Sequence, residues 1–249
     1  MKSTVHSMTS KIIKHYQQKT LLTVASSKRK SLYNLSIRKY GKDVQNTIKY
    51  GRNAPVYAER IWIRPADCTE AIESEAITQA FHNLGPRSAS GRVIDFLWPF
   101  ERKLHIMKIK KIKCCVEHWV NGVAWENTGI YEYMKTRILK EGSVDGCSNM
   151  KDIIERYNKL DAIYEEVKKE GRLKTRKEIN PNAFREKGGI LIHIGPNGVP
   201  YFGMGGTHRF AIALTLDIVM PAQLGIIHKS AISLLPNLRK RKESSTNVI

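Results

Sequence analysis

The stretch that most constrains this chain runs through residues 189–228. Ile190, Ile192 and Ile194 alternate with Leu191 and His193, which predicts a largely buried strand. Gly195-Pro196-Asn197-Gly198 predicts a tight turn, and residues 199–202 return as the hairpin partner. Gly203-Met204-Gly205-Gly206 then leads through Thr207-His208-Arg209 into the run Phe210-Ala211-Ile212-Ala213-Leu214-Thr215-Leu216. A helix this apolar on every side has to be sandwiched inside a core. Pro221 opens another strand over residues 222–227, which ends at His228. Strand, hairpin, buried helix and strand in this order imply a mixed α/β (α+β) fold built on a small mixed sheet.

A glycine turn that opens a buried helix gathers unpaired backbone N–H groups at the positive end of the helix dipole, and this favours an anion. Gly205 and Gly206 allow a phosphate to approach the backbone closely, and Thr207 adds a hydroxyl. His208 adds a titratable donor and Arg209 a permanently cationic one. These five residues are the candidate phosphate-binding set. The plainer alternative is that the glycines only make a turn and Arg209 is paired within the fold. His193, on a strand face, reads as an ordinary core or surface histidine. His228 ends a strand, where open sheets often carry ligand sites, and is a candidate pocket residue. Asp95, Glu126 and Asp161 are candidate carboxylates, with nothing in the sequence that brings them to Arg209.

Upstream, residues 58–64 read as a strand closed by Pro65. Thr69 reads as the N-cap of a helix with Glu70 and Glu73 in its first turn, ending at Gly85-Pro86. Residues 107–114 alternate Lys with apolar side chains, which suits a half-buried edge strand or, in a functional reading, a cationic groove strand. On such a strand Cys114 and Cys115 would face opposite ways. Asn127 or Thr128 reads as the cap of a helix reaching Gly142, and residues 142–149 as a polar linker. Ile153, Tyr157, Leu160, Tyr164 and Val167 then recur at helical spacing until Gly171, and residues 174–187 read as a loop. The four cysteines show no metal-ligand spacing and read as buried apolar residues, so no metal site is expected. The P-loop, H-E-x-x-H and G-x-S-x-G templates are absent from the sequence, and the catalytic residues stay unassigned.

Composition matters through charge. The 249 residues hold 42 Lys and Arg against 23 Asp and Glu, a net charge of +19 that attracts polyanions without choosing among them. Twelve of the basic residues fall within residues 1–52, where Asp43 is the only acid. The chain therefore divides into a basic arm (residues 1–52), a folded domain (53–236) and a disordered basic tail (237–249). No run suits a membrane span or secretory signal, so a cytoplasmic protein is the expectation. Contact between the arm and nucleic acid is the alternative function.

The order hairpin, Gly205-Gly206-Thr207-His208-Arg209, apolar helix and Pro221-started strand resembles the ParB/sulfiredoxin-like superfamily, and is similar to its small ParB-like members with a W-E-x-T run, here Trp125-Glu126-Asn127-Thr128. Glu59 to Pro65 resembles the opening strand of that superfamily. Against that resemblance, about 69–150 reads as a mainly helical insertion in the folded domain. The resemblance implies a nucleotide-binding fold in which the glycine turn holds the phosphates of ATP or CTP with magnesium, and phosphoryl transfer as one activity. Thr207 stands where sulfiredoxins carry cysteine, and Gly205 where the free-serine-kinase branch carries an acid. A fold that keeps the nucleotide and has lost the chemistry is the third reading.

Overall fold

The computed structural model of the chain describes residues 40–81 and 84–241. Most of the basic arm (1–39) and the end of the tail (242–249) thus lie outside the described residues. A helix covers residues 40–50 (α1). It is followed by β1 (Arg60–Ile63), β2 (Glu70–Ile72), α2 (Ser74–Ala80), β3 (Val93–Ile94), α3 (Trp98–Glu101) and β4 (Lys103–His105). Next come α4 (Lys110–Trp119), α5 (Ile130–Glu141), α6 (Met150–Glu170) and α7 (Arg176–Ile179). The chain closes with β5 (Ile190–Ile194), β6 (Pro200–Phe202), α8 (Thr207–Thr215), β7 (Met220–His228) and α9 (Leu235–Leu238).

The strands form one mixed seven-stranded sheet in the order β1-β7-β5-β6-β2-β4, with β3 pairing beside the end of β7. β5 runs parallel to β7 and antiparallel to β6, as the hairpin pattern predicts. Alternation sorts the strand side chains between two faces. Ile190, Ile192, Ile194, Phe202, Leu224 and Ile227 pack on Phe210, Ile212 and Ala213 of α8. Ile72, Ile94, Tyr201 and Ile226 pack on the other face against Ala76 and Ile77 of α2 and against Phe100. Ala211 of α8 turns away from the sheet into a second cluster with Cys114, Cys115, Tyr157 and Leu160. The helix is therefore buried on both sides, between the sheet and α4 and α6, as its composition requires. Its Phe210 and Ile212 are fully buried, and each contributes about 1.5–3 kcal/mol.

Tertiary context overrides three local expectations. Residues 70–72 form a strand rather than the first helical turn after Thr69, because Ala71 pairs with Phe202 and completes the free edge of β6. The helix there starts only at Ser74. Residues 107–114 form no strand: Ile109, Ile112, Val116 and Trp119 recur at helical spacing and lay α4 against the core. Lys110 donates to the Thr128 carbonyl at 2.9 Å, Lys111 pairs with Asp145, and Lys113 with Glu117 at 3.6 Å, so these lysines do not line a groove strand. Cys114 and Cys115 are both buried in the one cluster that α4 shares with Tyr157 and Leu160 of α6; all four cysteines are buried and free. Within the expected loop at 174–187, Thr175 and Glu178 form a capping box that starts α7.

Two ion pairs fasten the ends of the described chain. Asp43 of α1 accepts from Arg185 at 2.7 Å and from the Tyr57 amide at 2.7 Å. Arg239 donates to Glu59 at 2.5 Å.

A bulge interrupts the β5–β7 ladder between Ile192 and Ile194. The Ile226 amide there donates instead to His193 Nδ1 at 3.0 Å. Gly225 makes room for the ring, since a Cβ at that position would lie 2.1 Å from Nδ1. His193 is thus a fully buried core histidine, held neutral because burial pushes its pKa down to about 3. Gly225→Ala is expected to destabilise the fold by about 1–3 kcal/mol through overpacking, read as a lowered urea midpoint; an unchanged midpoint would contradict this packing.

Candidate functional site

The turn before α8 is set by close backbone contact. Gly206 sits at φ +77°, and a Cβ there would come within 2.9 Å of Ile190 Cα. Gly205 accepts at its carbonyl from the Leu191 amide at 2.9 Å, which ties the turn to the start of β5. No side chain caps the helix that follows, so its first N–H groups have no side-chain partner. A cavity of about 520 Å³ opens there, lined by Met204, Gly206, Thr207, His208 and Arg209 and by residues from the helical layer. Gly206, Thr207 and the His-Arg pair therefore share one pocket, whereas Gly205, placed with them in the candidate set, does not line it.

The other charged side chains of the lining are Lys111 of α4, which the sequence offered only as part of a cationic strand, and Arg137 of α5, Arg156 of α6 and Asp145, which it did not single out. Each lies on a helix face or in the stretch read as a linker. Asp145 alone carried a legible signal. Asp145-Gly146 is a preferred two-residue hairpin turn, and the structure shows it with both φ values positive, closed by mutual hydrogen bonds between Val144 and Cys147. Among the described residues Asp145 is the only carboxylate in the cavity lining. Burial opposes its ionisation, but the Lys111 hydrogen bond and the nearby charge of Arg156 outweigh that and hold its pKa below the ordinary range.

Arg156 donates to the Asp145 carbonyl at 2.8 Å and lies 3.4 Å from His208 Nδ1. Because a guanidinium can only donate, Nδ1 is the unprotonated nitrogen, and Nε2–H points to the Tyr157 hydroxyl at 3.4 Å. His208 is therefore not a cation at neutral pH. Burial, and then the charges of Arg156 and Lys111, bring its pKa from 6.5 down to about 4. Arg209 is largely drawn inward: one nitrogen donates to the Lys174 carbonyl, and another, Nη1, is buried without a partner among the described residues. Arg137 is shared with Glu141 at 2.8 Å.

The remaining candidates lie elsewhere. His228 sits at the far end of β7 from the glycine turn, where it accepts from the Ser230 amide at 3.3 Å and caps the following turn, so it is no part of this pocket. Asp161 accepts from the indoles of Trp119 and Trp125, each at 2.9 Å, and holds α4 to α6. Asp95 and Glu126 are exposed and do not line the cavity. Among the described residues no three His, Cys, Asp or Glu side chains gather as a metal-ligand set. None of their helices is long and apolar enough to cross a membrane.

No protein-family model, curated protein or solved structure matches the chain.

The depressed value of His208 has a measurable consequence. Between pH 6.5 and about 4 the unfolded chain takes up a proton at this ring that the folded protein refuses. The stabilisation is complete above pH 6.5 and is lost as pH falls toward 4, by up to about 3 kcal/mol. His208→Gln is expected to flatten the decline of Tm between pH 6.5 and 4.5 relative to the unsubstituted protein; parallel declines would contradict a buried neutral ring.

Proposed function

We propose that the protein binds a phosphorylated small molecule, a nucleotide such as ATP or CTP, with its phosphate chain in the cavity at the start of α8. The observation that carries this is the charge of the pocket. Lys111, Arg137, Arg156 and Arg209 line it beside an uncapped helix N-terminus, with Asp145 the one carboxylate among the described lining residues, while Glu141 pairs with Arg137 and Glu186 lies near the inward-drawn Arg209 from outside the lining. A cavity of about 520 Å³ falls within the range that small-molecule ligands occupy. The residue pattern that resembles the ParB/sulfiredoxin-like superfamily supports the same reading, because the turn it singles out is one wall of this cavity.

In this arrangement the amides of Thr207 and His208 and the Thr207 hydroxyl meet one phosphate, while Arg156 and Lys111 neutralise the next. Magnesium would be carried by the phosphates, with Asp145 the nearest hard oxygen ligand. Neutral His208 offers no competing charge to Arg156. The lining holds no second carboxylate to activate an acceptor hydroxyl, so the reading is of nucleotide binding, with phosphoryl transfer resting on a group supplied by the acceptor or a partner.

Titration calorimetry with ATP, CTP, tripolyphosphate and adenosine, with and without magnesium, tests this. The phosphorylated ligands are expected to bind and adenosine not to. Arg156→Ala is expected to weaken binding about tenfold, the loss of one charge-assisted hydrogen bond. Equal binding of adenosine and ATP, or unaltered affinity in Arg156→Ala, would overturn the proposal.

A further inference from the structure

The lining of the cavity at the start of α8 divides by chemistry. Lys111, Arg137, Arg156 and Arg209 make its cationic part, and Ile109, Tyr133, Leu160 and Met204 its apolar part. Ile109 and Leu160 are buried and Tyr133 is half-buried. Among the described residues of the lining, Met204, at 37%, is therefore the one exposed apolar side chain.

Met204 holds that place against its backbone preference. The Gly203 amide donates to the Leu191 carbonyl at 2.8 Å, and the Leu191 amide donates to the Gly205 carbonyl at 2.9 Å. In the register of β5 and β6, where Ile192 faces Phe202, a regular antiparallel ladder would return both bonds to Gly203. Met204 is looped out between them instead, at φ +61°, in the left-handed region where a Cβ crowds the backbone. Its glycine neighbours are set by space. A Cβ would lie 2.7 Å from His193 Nε2 at Gly203, 2.6 Å from Arg87 Nη2 at Gly205 and 2.9 Å from Ile190 Cα at Gly206. At position 204 glycine would relieve strain, yet the chain carries methionine there. Its side chain is the only one that the turn 203–206 offers, and it stands in the cavity wall. Strain kept where glycine would remove it points to a contact made with a ligand.

A phosphate chain has no apolar surface to cover this wall. A purine or pyrimidine carried on that chain has two apolar faces, and the unbranched, polarizable thioether of methionine packs well on such a ring. We infer that Met204, with Ile109, Tyr133 and Leu160, forms the base-binding wall of the cavity, and that Met204 is a specificity residue favouring a nucleotide over a phosphorylated ligand without a base. This rests on the phosphate reading of the same cavity and adds to it the part of the ligand that the cations do not select.

Calorimetry on the full chain with magnesium compares ATP with ribose 5-triphosphate, which keeps the sugar and the phosphate chain and lacks the base. The unsubstituted protein is expected to bind ATP about tenfold more tightly. Met204→Gly is expected to cut that preference about fivefold through ATP alone, without lowering Tm, and Met204→Leu to keep most of it. Arg156→Ala is expected to weaken both ligands alike. Equal affinity of the two ligands for the unsubstituted protein, or a preference unchanged in Met204→Gly, would overturn the base-binding wall and leave phosphate binding standing. Parallel loss of both ligands in Met204→Gly, or a lowered Tm, would assign the side chain to the shape of the turn and overturn it equally. Failure of both ligands to bind the unsubstituted protein would overturn the phosphate reading itself, and the base-binding wall with it.

Discussion

The close approach of Gly206 to Ile190 decides the geometry of this end of the molecule. Any side chain at Gly206 would collide with the backbone of β5, and the left-handed φ would strain it further. With glycine there, the chain leaves β6, crosses the start of β5 and enters α8 with no side-chain cap. The start of the helix thereby lines a cavity it shares with the helical layer. The cations placed around it come from other elements: Lys111 from α4, Arg137 from α5, and Arg156 from α6. Because α8 is apolar on both its sheet side and its helix side, it cannot rotate to hide that end without exposing Phe210 or Ala211.

How legible this was in the sequence depended on whether a residue's role is local. The strand at Ile190–Ile194, its hairpin partner, α8 and β7 are each specified by alternation or by an unbroken apolar run, and the structure has them there. The stripe from Ile153 to Val167 likewise becomes the buried face of α6, stopped by Gly171 in the left-handed region. β2 fails as a local reading because Glu70 to Ile72 is held by strands more than 30 residues away on one side and 130 on the other. α4 fails for a different reason. Lysines and isoleucines in its first turn satisfy both periods, and only Val116 and Trp119, further on, break the tie.

The site divides along the same line. Its backbone half, Gly206 to Arg209, could be read because glycines before an apolar helix have a physical meaning at that spacing, though Gly205, read with them, does not line the cavity. Its charged half could not, because Lys111, Arg137 and Arg156 are ordinary helix-surface residues until three helices converge. Asp145-Gly146 was readable as a turn, but its role emerges only when Arg156 is seen to bind its carbonyl. His208 was readable as present at the turn and not in its charge state, which is set first by burial and then by the charges of Arg156 and Lys111, 52 and 97 positions away.

A net charge of +19 could leave unpaired cations anywhere, so a surplus near one turn would mean little if the chain left others elsewhere in its interior. It handles several of them differently. Arg185 is matched to buried Asp43 and to the Tyr57 carbonyl, and Arg239 to buried Glu59 and the Ala54 carbonyl. On the surface, Arg64 meets Asp217 at 2.7 Å and Arg172 meets Glu178 at 2.6 Å. In these places the fold brings an acid to the base. Around Gly205 to Arg209 it brings further bases instead: Lys111, Arg137 and Arg156 on one side and Arg87 and Arg176 on the other, against Asp145, Glu141 and Glu186. Repulsion of this kind has to be held in place by the packing of α4, α5, α6 and α8, and a bound anion of the kind proposed would relieve it. The excess therefore reflects where the helices converge, and the mean charge of the surface does not account for it.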